Sequence, residues 1–251
     1  PSADEVATSP DGRWIAFQEA NDVYVAPLPR TTGGDAPLTL DRRSNVLPVR
    51  QLSRTGGLFV RWRDANSLEF GSGSRYYRYD LTTEQTETFD VRLVAPRRTV
   101  AGTIALTNAR IVTFAGPNQD EVIESGTIVI AGPRIACVGG CDTSGADRVI
   151  DASGRTIIPG FVDMHSHHHR EHRGYRPLRD YEVGIYLAYG VTTSLDNSMW
   201  AQNIFPTAEL IETGRMIGPR TFSTGDPLPF GELPSRKVTA EHIDRLQSWG
   251  A

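Results

Sequence analysis

The segment from Arg155 to His167 is an apolar run that ends with an Asp and two His at alternate positions. Successive side chains on a β-strand point to opposite faces, so a strand here would place Asp163, His165 and His167 on one face. Neutral imidazole is a good ligand for zinc and similar divalent ions, so the two His would converge on one metal position. A second interpretation is a buried strand that ends in a solvated turn, because more His follow at once: His168, His169 and His172. The segment alone leaves both interpretations open.

Composition sets the outer limits on function. The chain has 251 residues, of which 39% are apolar, enough for one large or two ordinary domains with packed cores. A formal net charge of -4 without a basic block argues against nucleic acid as the main partner. No apolar run approaches the length of a membrane span. The chain begins at Pro1 without a Met or a signal-like segment, so we expect a mature or internal fragment.

Residues 1–96 have the pattern of short strands separated by turns. Ser9-Pro-Asp-Gly12 is a turn signal, and β-rich runs recur on either side of a polar stretch: Arg13 to Phe17, Asp22 to Ala26, Gly56 to Trp62, Asn66 to Phe70 and Tyr76 to Leu81. The spacing predicts four-stranded sheets, the unit of a β-propeller. The Ser-Pro-Asp-Gly turn followed by Trp-Ile-Ala-Phe resembles the blades of TolB-type propellers. About two blades are visible, fewer than the four that close a propeller, so we expect the others upstream or on another chain.

The pattern changes after residue 96. The pattern of residues 97–157 predicts further short strands separated by turns. From Thr156 onward, predicted strands alternate with predicted helices. The predicted strands are Ile157 to His165, Val191 to Leu195 and Arg220 to Thr224. The predicted helices are Leu178 to Tyr189, Thr207 to Thr213 behind Pro206, and Thr239 to Trp249 with Thr239 as N-cap. This rhythm is typical of a parallel sheet or barrel, whose active site lies at the carboxyl ends of the strands. Asp196 follows the second strand, where a turn or capping role competes with a substrate contact.

From Thr103 to Ala251 the chain resembles the front of an amidohydrolase-superfamily enzyme of the imidazolonepropionase-like branch. The resemblance rests on short motifs in one order: Leu106-Thr-Asn-Ala-Arg-Ile-Val112, Val122 to Ile130, Arg134 to Gly139, Val149 to Gly154, Ile158-Pro-Gly-Phe-Val-Asp-Met-His-Ser-His167, Tyr189-Gly-Val-Thr-Thr193 and Gly218-Pro-Arg220. Together with the TolB-type resemblance of residues 1–96, it implies a multidomain β plus α/β fold. Residues 1–96 would be the last blades of a partial β-propeller, residues 97–157 part of a small β-sandwich, and residues 158–251 the first three βα units of a TIM-type (β/α)8 barrel.

The same resemblance implies a function. It assigns the metal ligands to His165 and His167, with Asp163 and Asp196 as candidates for supporting a ligand or contacting substrate. The metal would be zinc, as one or two ions, with iron, manganese or nickel as alternatives. The implied reaction is hydrolysis of an amide, cyclic amide or related C–N bond, other than a peptide bond, through activated water. The remaining ligands and the catalytic Asp of the family are expected beyond Ala251, so this chain alone lacks a full active site. A non-catalytic binding or assembly module with a vestigial barrel is the alternative.

Several expectations concern the surroundings of the chain. We expect a small-molecule or short peptide-like substrate, completion of propeller and barrel by the same polypeptide or a second chain, and an oligomer. Resemblance to propeller-fused enzymes favours a periplasmic or secreted protein over a cytoplasmic one. Cys137 and Cys141 flank Val-Gly-Gly, a spacing that fits neither a redox motif nor a zinc knuckle. Packing of Cys137 as a small apolar side chain is favoured, and a disulfide between the two stays open.

Overall fold

The computed structural model describes residues 3–29, 47–118, 120–168, 180–227 and 236–250. These residues form mostly β-sheet with few helices. The chain divides into two units. The first comprises Pro1–Val94, Ser198–Phe205 and Ser223–Ala251, and the second comprises Ala95–Asn197 and Pro206–Phe222.

The first unit contains two four-stranded antiparallel sheets, each with its strands in sequence order. The first sheet consists of β1 (Glu5–Thr8), β2 (Trp14–Glu19), β3 (Asp22–Pro27) and β4 (Arg50–Gln51). The second consists of β5 (Leu58–Trp62), β6 (Ser67–Ser72), β7 (Arg75–Asp80) and β8 (Gln85–Asp90). The predicted antiparallel four-stranded sheets are therefore confirmed. Neither sheet is part of a closed ring among the described residues, so the TolB-type propeller stays a prediction.

The core of this unit is built from both sheets. Ala16 and Val23 of the first sheet pack with Leu68 and Phe70 of the second, and all four are buried. Gly57 is required next to this core, because a Cβ there would lie 2.4 Å from a methyl carbon of Val23. The β-rich runs seen in the sequence therefore supply the side chains of this core.

The second unit contains a five-stranded mixed sheet. Its strands are β9 (Thr103–Val112), β10 (Val122–Ala131), β11 (Arg134–Gly139), β12 (Arg148–Asp151) and β13 (Thr156–Ile157). The order is β11-β10-β9-β12, and β13 also pairs with β9. A disulfide joins Cys137 on β11 to Cys141. The favoured prediction that Cys137 packs as a small apolar side chain is therefore wrong, and the alternative of a disulfide is the one that the structure shows. Membership of this sheet in a small β-sandwich stays a prediction.

Strands and helices alternate from Phe161 onward. The order is β14 (Phe161–Ser166), α1 (Tyr181–Ala188), β15 (Val191–Asp196), α2 (Ala201–Glu212), β16 (Arg220–Ser223) and α3 (Arg236–Trp249). The three strands form one sheet in the order β14-β15-β16, with β14 parallel to β15. This alternation agrees with the predicted βα units. Their membership of an eight-stranded barrel, and the domain boundaries at residues 96 and 157, stay predictions.

One predicted strand is divided in two. Ile157 pairs with β9 in the five-stranded sheet, whereas Phe161 begins β14 in the three-stranded sheet. Pro159 between them has no backbone N–H to donate to a neighbouring strand. Gly160 allows the backbone to pass close to Thr192 on β15, because a Cβ at position 160 would lie 2.1 Å from Oγ1 of Thr192. Pro159 and Gly160 thus separate the last strand of the five-stranded sheet from the first strand of the three-stranded sheet.

Two predicted helix starts are wrong. Helix α2 begins at Ala201 rather than Thr207, because the Oδ1 atom of Asp226 accepts the backbone N–H of Ala201 at 2.8 Å and caps the helix from a distant position. Pro206 lies inside the helix, where its ring removes one backbone hydrogen bond without ending it. Helix α3 begins at Arg236, so Thr239 lies inside the helix and is not its N-cap.

Helix α1 has a side-chain cap. Oδ1 of Asp180 accepts the backbone N–H groups of Glu182 and Val183. The earlier predicted start at Leu178 lies outside the described residues. None of the helices in the described ranges is long and apolar enough to cross a membrane.

Candidate metal centre

The candidate site lies where β14 ends. Asp163 pairs with Ser194, but Ser166 pairs with Asp196, so three steps along β14 match two along β15. The extra residue is a β-bulge at Met164 and His165. Bulges redirect side chains and are frequent next to active sites. The strict alternation from Asp163 to His167 that the sequence predicted is therefore interrupted inside the motif.

The two predicted ligands nevertheless lie side by side. The ring centroids of His165 and His167 are 5.1 Å apart in an edge-to-face arrangement, and both side chains are exposed. The amide Nδ2 of Asn197, just beyond the end of β15, lies 3.4 Å from Nδ1 of His165. Because β14 and β15 are parallel, their carboxyl ends meet at one edge of the sheet. This edge is where parallel αβ folds place their active sites.

Asp163 is half-buried and stabilises the bulge. Its Oδ1 atom accepts the backbone N–H of His165 at 3.0 Å. Its charge also acts on a neighbouring phenol: burial first, and then the carboxylate of Asp163, raises the pKa of Tyr186. Tyr186 therefore keeps its proton and donates its hydroxyl to the backbone carbonyl of His167 at 3.2 Å.

Asp196 is fully buried at the end of β15. Its Oδ2 atom accepts the backbone N–H of His168 at 2.7 Å. The short distance is typical of a hydrogen bond to a charged acceptor. A buried carboxylate held in this way supports the backbone that follows β14. Of the two predicted roles, the geometry shows a backbone partner of the capping kind, and a substrate contact stays a prediction.

The sequence did not predict a buried polar layer behind the two exposed His, formed by His168, Ser194 and Thr221. His168 is 4% exposed and its Nε2 atom lies 3.0 Å from Oγ of Ser194. The hydroxyl of Ser194 is in turn 3.4 Å from that of Thr221 on β16. The ring of His168 stacks on that of Tyr186, with centroids 5.1 Å apart and planes inclined by 12°. The small polar residues of β15 were a sequence signal for such a layer. Because five His lie close together in the sequence, however, the pattern did not indicate which His would be buried.

The donor set at the exposed pair fits a divalent metal only in part. Two neutral imidazoles are suitable ligands for zinc and for other first-row ions, yet zinc sites in proteins use three or four protein ligands. Within the described ranges, no three His, Cys, Asp or Glu side chains come together as a metal-holding group. His169 and His172 lie outside the described residues. His165 and His167 thus supply two ligands of an incomplete set.

No protein-family model matches the chain. Curated relatives match parts of it. The chain is 48% identical over 50 residues to an imidazolonepropionase of Paenarthrobacter aurescens, covering 20% of this chain and 12% of that protein. It is 30% identical over 153 residues to a 5'-deoxyadenosine deaminase of Methanosarcina mazei, covering 59% and 33%. It is 39% identical over 61 residues to an N-acyl-D-glutamate deacylase of Alcaligenes xylosoxydans, covering 19% and 12%.

The relatives are amidohydrolase-family enzymes. They are hydrolases and deaminases that act on C–N bonds. The chain spans no more than a third of the length of these three.

Solved structures show a partial likeness. A Xaa-Pro dipeptidase with bound methionine superposes with a TM-score of 0.46 at 16% identity, over 59% of this chain and 45% of that one. The N-acetyl-D-glucosamine-6-phosphate deacetylase of Mycobacterium smegmatis gives 0.36 at 22% identity, over 59% and 42%.

Proposed function

We propose that this chain belongs to a metal-dependent hydrolase of the amidohydrolase superfamily, which cleaves an amide, cyclic amide or related C–N bond. The observation that carries the proposal is the adjacent, exposed pair of His165 and His167 at the carboxyl edge of a parallel sheet. The relatives support it, because they are hydrolases and deaminases of C–N bonds. They do not favour the alternative of a non-catalytic module with a vestigial barrel.

In this proposal His165 and His167 hold a divalent metal, with zinc as the first candidate. The chemistry supplied by such an ion, when bound, is a lowered pKa of water and polarisation of the scissile group. Asp163 fixes the bulge that carries His165, and Asn197 contacts the ring of His165. Both His side chains are exposed, so a small-molecule or short peptide-like substrate can reach them. The proposed site needs further ligands and a proton-transferring Asp in addition to these residues.

The setting of the enzyme is part of the proposal. The two antiparallel sheets of the first unit would be blades of a TolB-type propeller, completed by the same polypeptide or by a second chain in an oligomer. The Cys137–Cys141 disulfide favours an oxidising compartment, because disulfides persist in secreted and periplasmic proteins and are rare in the cytosol. A periplasmic or secreted enzyme is consistent with this bond.

The proposed reaction is tested on the full-length protein with three substrate classes: N-acyl amino acids, cyclic amides and aminopurine nucleosides. We expect release of amine, ammonia or a ring-opened acid in one class, loss of turnover after chelation, and recovery after zinc addition. The double variant His165→Ala/His167→Ala should be inactive. Met164→Ala is the matched control, because this exposed side chain lies in the same bulge and offers no nitrogen or oxygen to a metal. Turnover that persists in the His double variant would contradict the proposal.

A further inference from the structure

The peptide bond between His167 and His168 is held on both sides. Its carbonyl oxygen, which belongs to His167, accepts the hydroxyl of Tyr186 at 3.2 Å. Its N–H, which belongs to His168, donates to Oδ2 of Asp196 at 2.7 Å. One group comes from helix α1 and the other from the end of strand β15. The orientation of this peptide plane is therefore set by two separate elements.

The side chain that follows this peptide bond is also fixed. The ring of His168 stacks on Tyr186 and places its Nε2 atom 3.0 Å from Oγ of Ser194. It is 4% exposed, whereas His165 and His167 are exposed. Tyr186 thus contacts the segment twice, through its hydroxyl and through its ring.

We propose that Tyr186, Asp196 and the ring of His168 form a clamp that positions the imidazole of His167 for metal binding, and that His168 is an anchor and not a ligand. The inference rests on the proposed function. Ser166, on the other side of His167, is paired with Asp196 in the sheet, so the backbone is held both before and after His167. This restricts the direction of its Cα–Cβ bond, and less conformational freedom is lost when the imidazole binds an ion. Residues that orient a ligand in this way typically change metal affinity by 10- to 100-fold.

The first test removes single contacts of the clamp in the full-length protein. Tyr186→Phe keeps the stacked ring but loses the hydroxyl, and Asp196→Asn loses the negative charge of the acceptor. We expect about 10-fold weaker zinc binding in competition with a chromophoric chelator. With cobalt in place of zinc, the visible absorption bands should shift, since they report ligand geometry. Tyr189→Phe is the matched control, because Tyr189 ends the same helix and is 79% exposed.

The second test concerns His168 itself. His168→Gln should keep the metal-to-protein ratio of the wild type while weakening affinity, because the anchor is lost and no ligand is. A ratio reduced by the same amount as in His167→Ala would overturn the anchor assignment. Unchanged affinity and an unchanged cobalt spectrum in both Tyr186→Phe and Asp196→Asn would overturn the clamp.

Failure of the proposed function gives a different result. A wild-type protein that binds no divalent ion refutes the metal centre, and the clamp is then decided by hydrogen exchange of the segment that contains the His168 amide. Faster exchange in Asp196→Asn than in Asp244→Asn, an exposed Asp on α3, supports the clamp. Equal exchange rates in the two variants overturn it.

Discussion

Arg245 and Asp226 form an ion pair at 3.2 Å with both side chains almost completely buried. The guanidinium group of Arg245 also lies over the ring of Trp249, and the indole N–H of Trp249 donates to Oγ of Ser72 at 2.9 Å. Asp226 additionally caps α2 through Ala201. This cluster ties α3 to the second antiparallel sheet inside the first unit. Its loss should therefore unfold more than one helix.

Neutralising Asp226 should destabilise the first unit. Asp226→Asn keeps an oxygen for the N–H of Ala201 but leaves the charge of Arg245 buried without its counter-ion, and breaking a buried pair in this way costs about 3 kcal/mol. Urea unfolding followed by Trp fluorescence measures the loss. Asp244 is exposed and lies next to Arg245 on α3. The control variant Asp244→Asn should therefore leave the free energy of unfolding unchanged. Equal stability of the two variants would show that the ion pair contributes nothing.

The stability of this cluster should depend on pH through His242. Its Nδ1 atom accepts from Nη2 of Arg245 at 2.9 Å and its Nε2 atom donates to the carbonyl of Asp226 at 3.2 Å, so the neutral ring fits. Burial first, and then the charge of Arg245, lowers the pKa of His242 below its usual 6.5. The unfolded chain therefore binds the proton more readily. Stability is fully present above pH 6.5 and is lost as the pH falls toward the folded pKa.

His242→Gln isolates this effect, because glutamine supplies one acceptor and one donor and does not titrate. The wild type should lose stability relative to the variant as the pH falls below 6.5. The other His contribute equally to both proteins and cancel in the difference. Denaturation midpoints across this pH range provide the measurement, and parallel curves for the two proteins would contradict the assignment.

The sequence predicted the type of each secondary-structure element better than the residues at which helices begin or the distant residues that cap them. Turn signals and β-rich runs in residues 1–96 were sufficient for antiparallel strands, since both are short-range signals. The start of α2 was missed because its cap is Asp226, 25 residues away, and Pro206 suggested a start that the structure does not have. Tertiary contacts of this kind have no local pattern.

The same distinction applies at the candidate site. The adjacency of His165 and His167 followed from their spacing, and the structure shows it. The bulge at Met164 and His165 could not be predicted from spacing, because it depends on the register in which β14 pairs with β15. Nor could the burial of His168, since five His in eight residues give no periodic signal for the one that packs against Ser194 and Tyr186.

Two Gly→Ala variants should have opposite effects on stability. A Cβ on Gly160 would lie 2.1 Å from Oγ1 and 2.7 Å from Cβ of Thr192, so Gly160→Ala forces β14 away from β15 and lowers the melting temperature. Gly184 lies inside α1, and a Cβ there meets nothing within 4 Å. Gly184→Ala should stabilise the protein by about 0.5 to 1 kcal/mol, the helix-propensity difference between the two residues.

Differential scanning fluorimetry of the two variants measures both effects. Thr192→Gly removes the opposing side chain and should restore part of the stability lost in Gly160→Ala. An unchanged melting temperature in Gly160→Ala would show that the strands do not approach as closely as described.

Elemental analysis of the purified full-length protein tests the metal assignment most directly. The adjacent exposed rings of His165 and His167 predict a stoichiometric divalent ion in the wild type, and its loss in the His165→Ala/His167→Ala variant, because an incomplete ligand set binds weakly. Met164→Ala should keep the wild-type content. Equal metal content in the wild type and the His double variant, with both proteins folded by circular dichroism, would contradict the assignment of these two His as ligands.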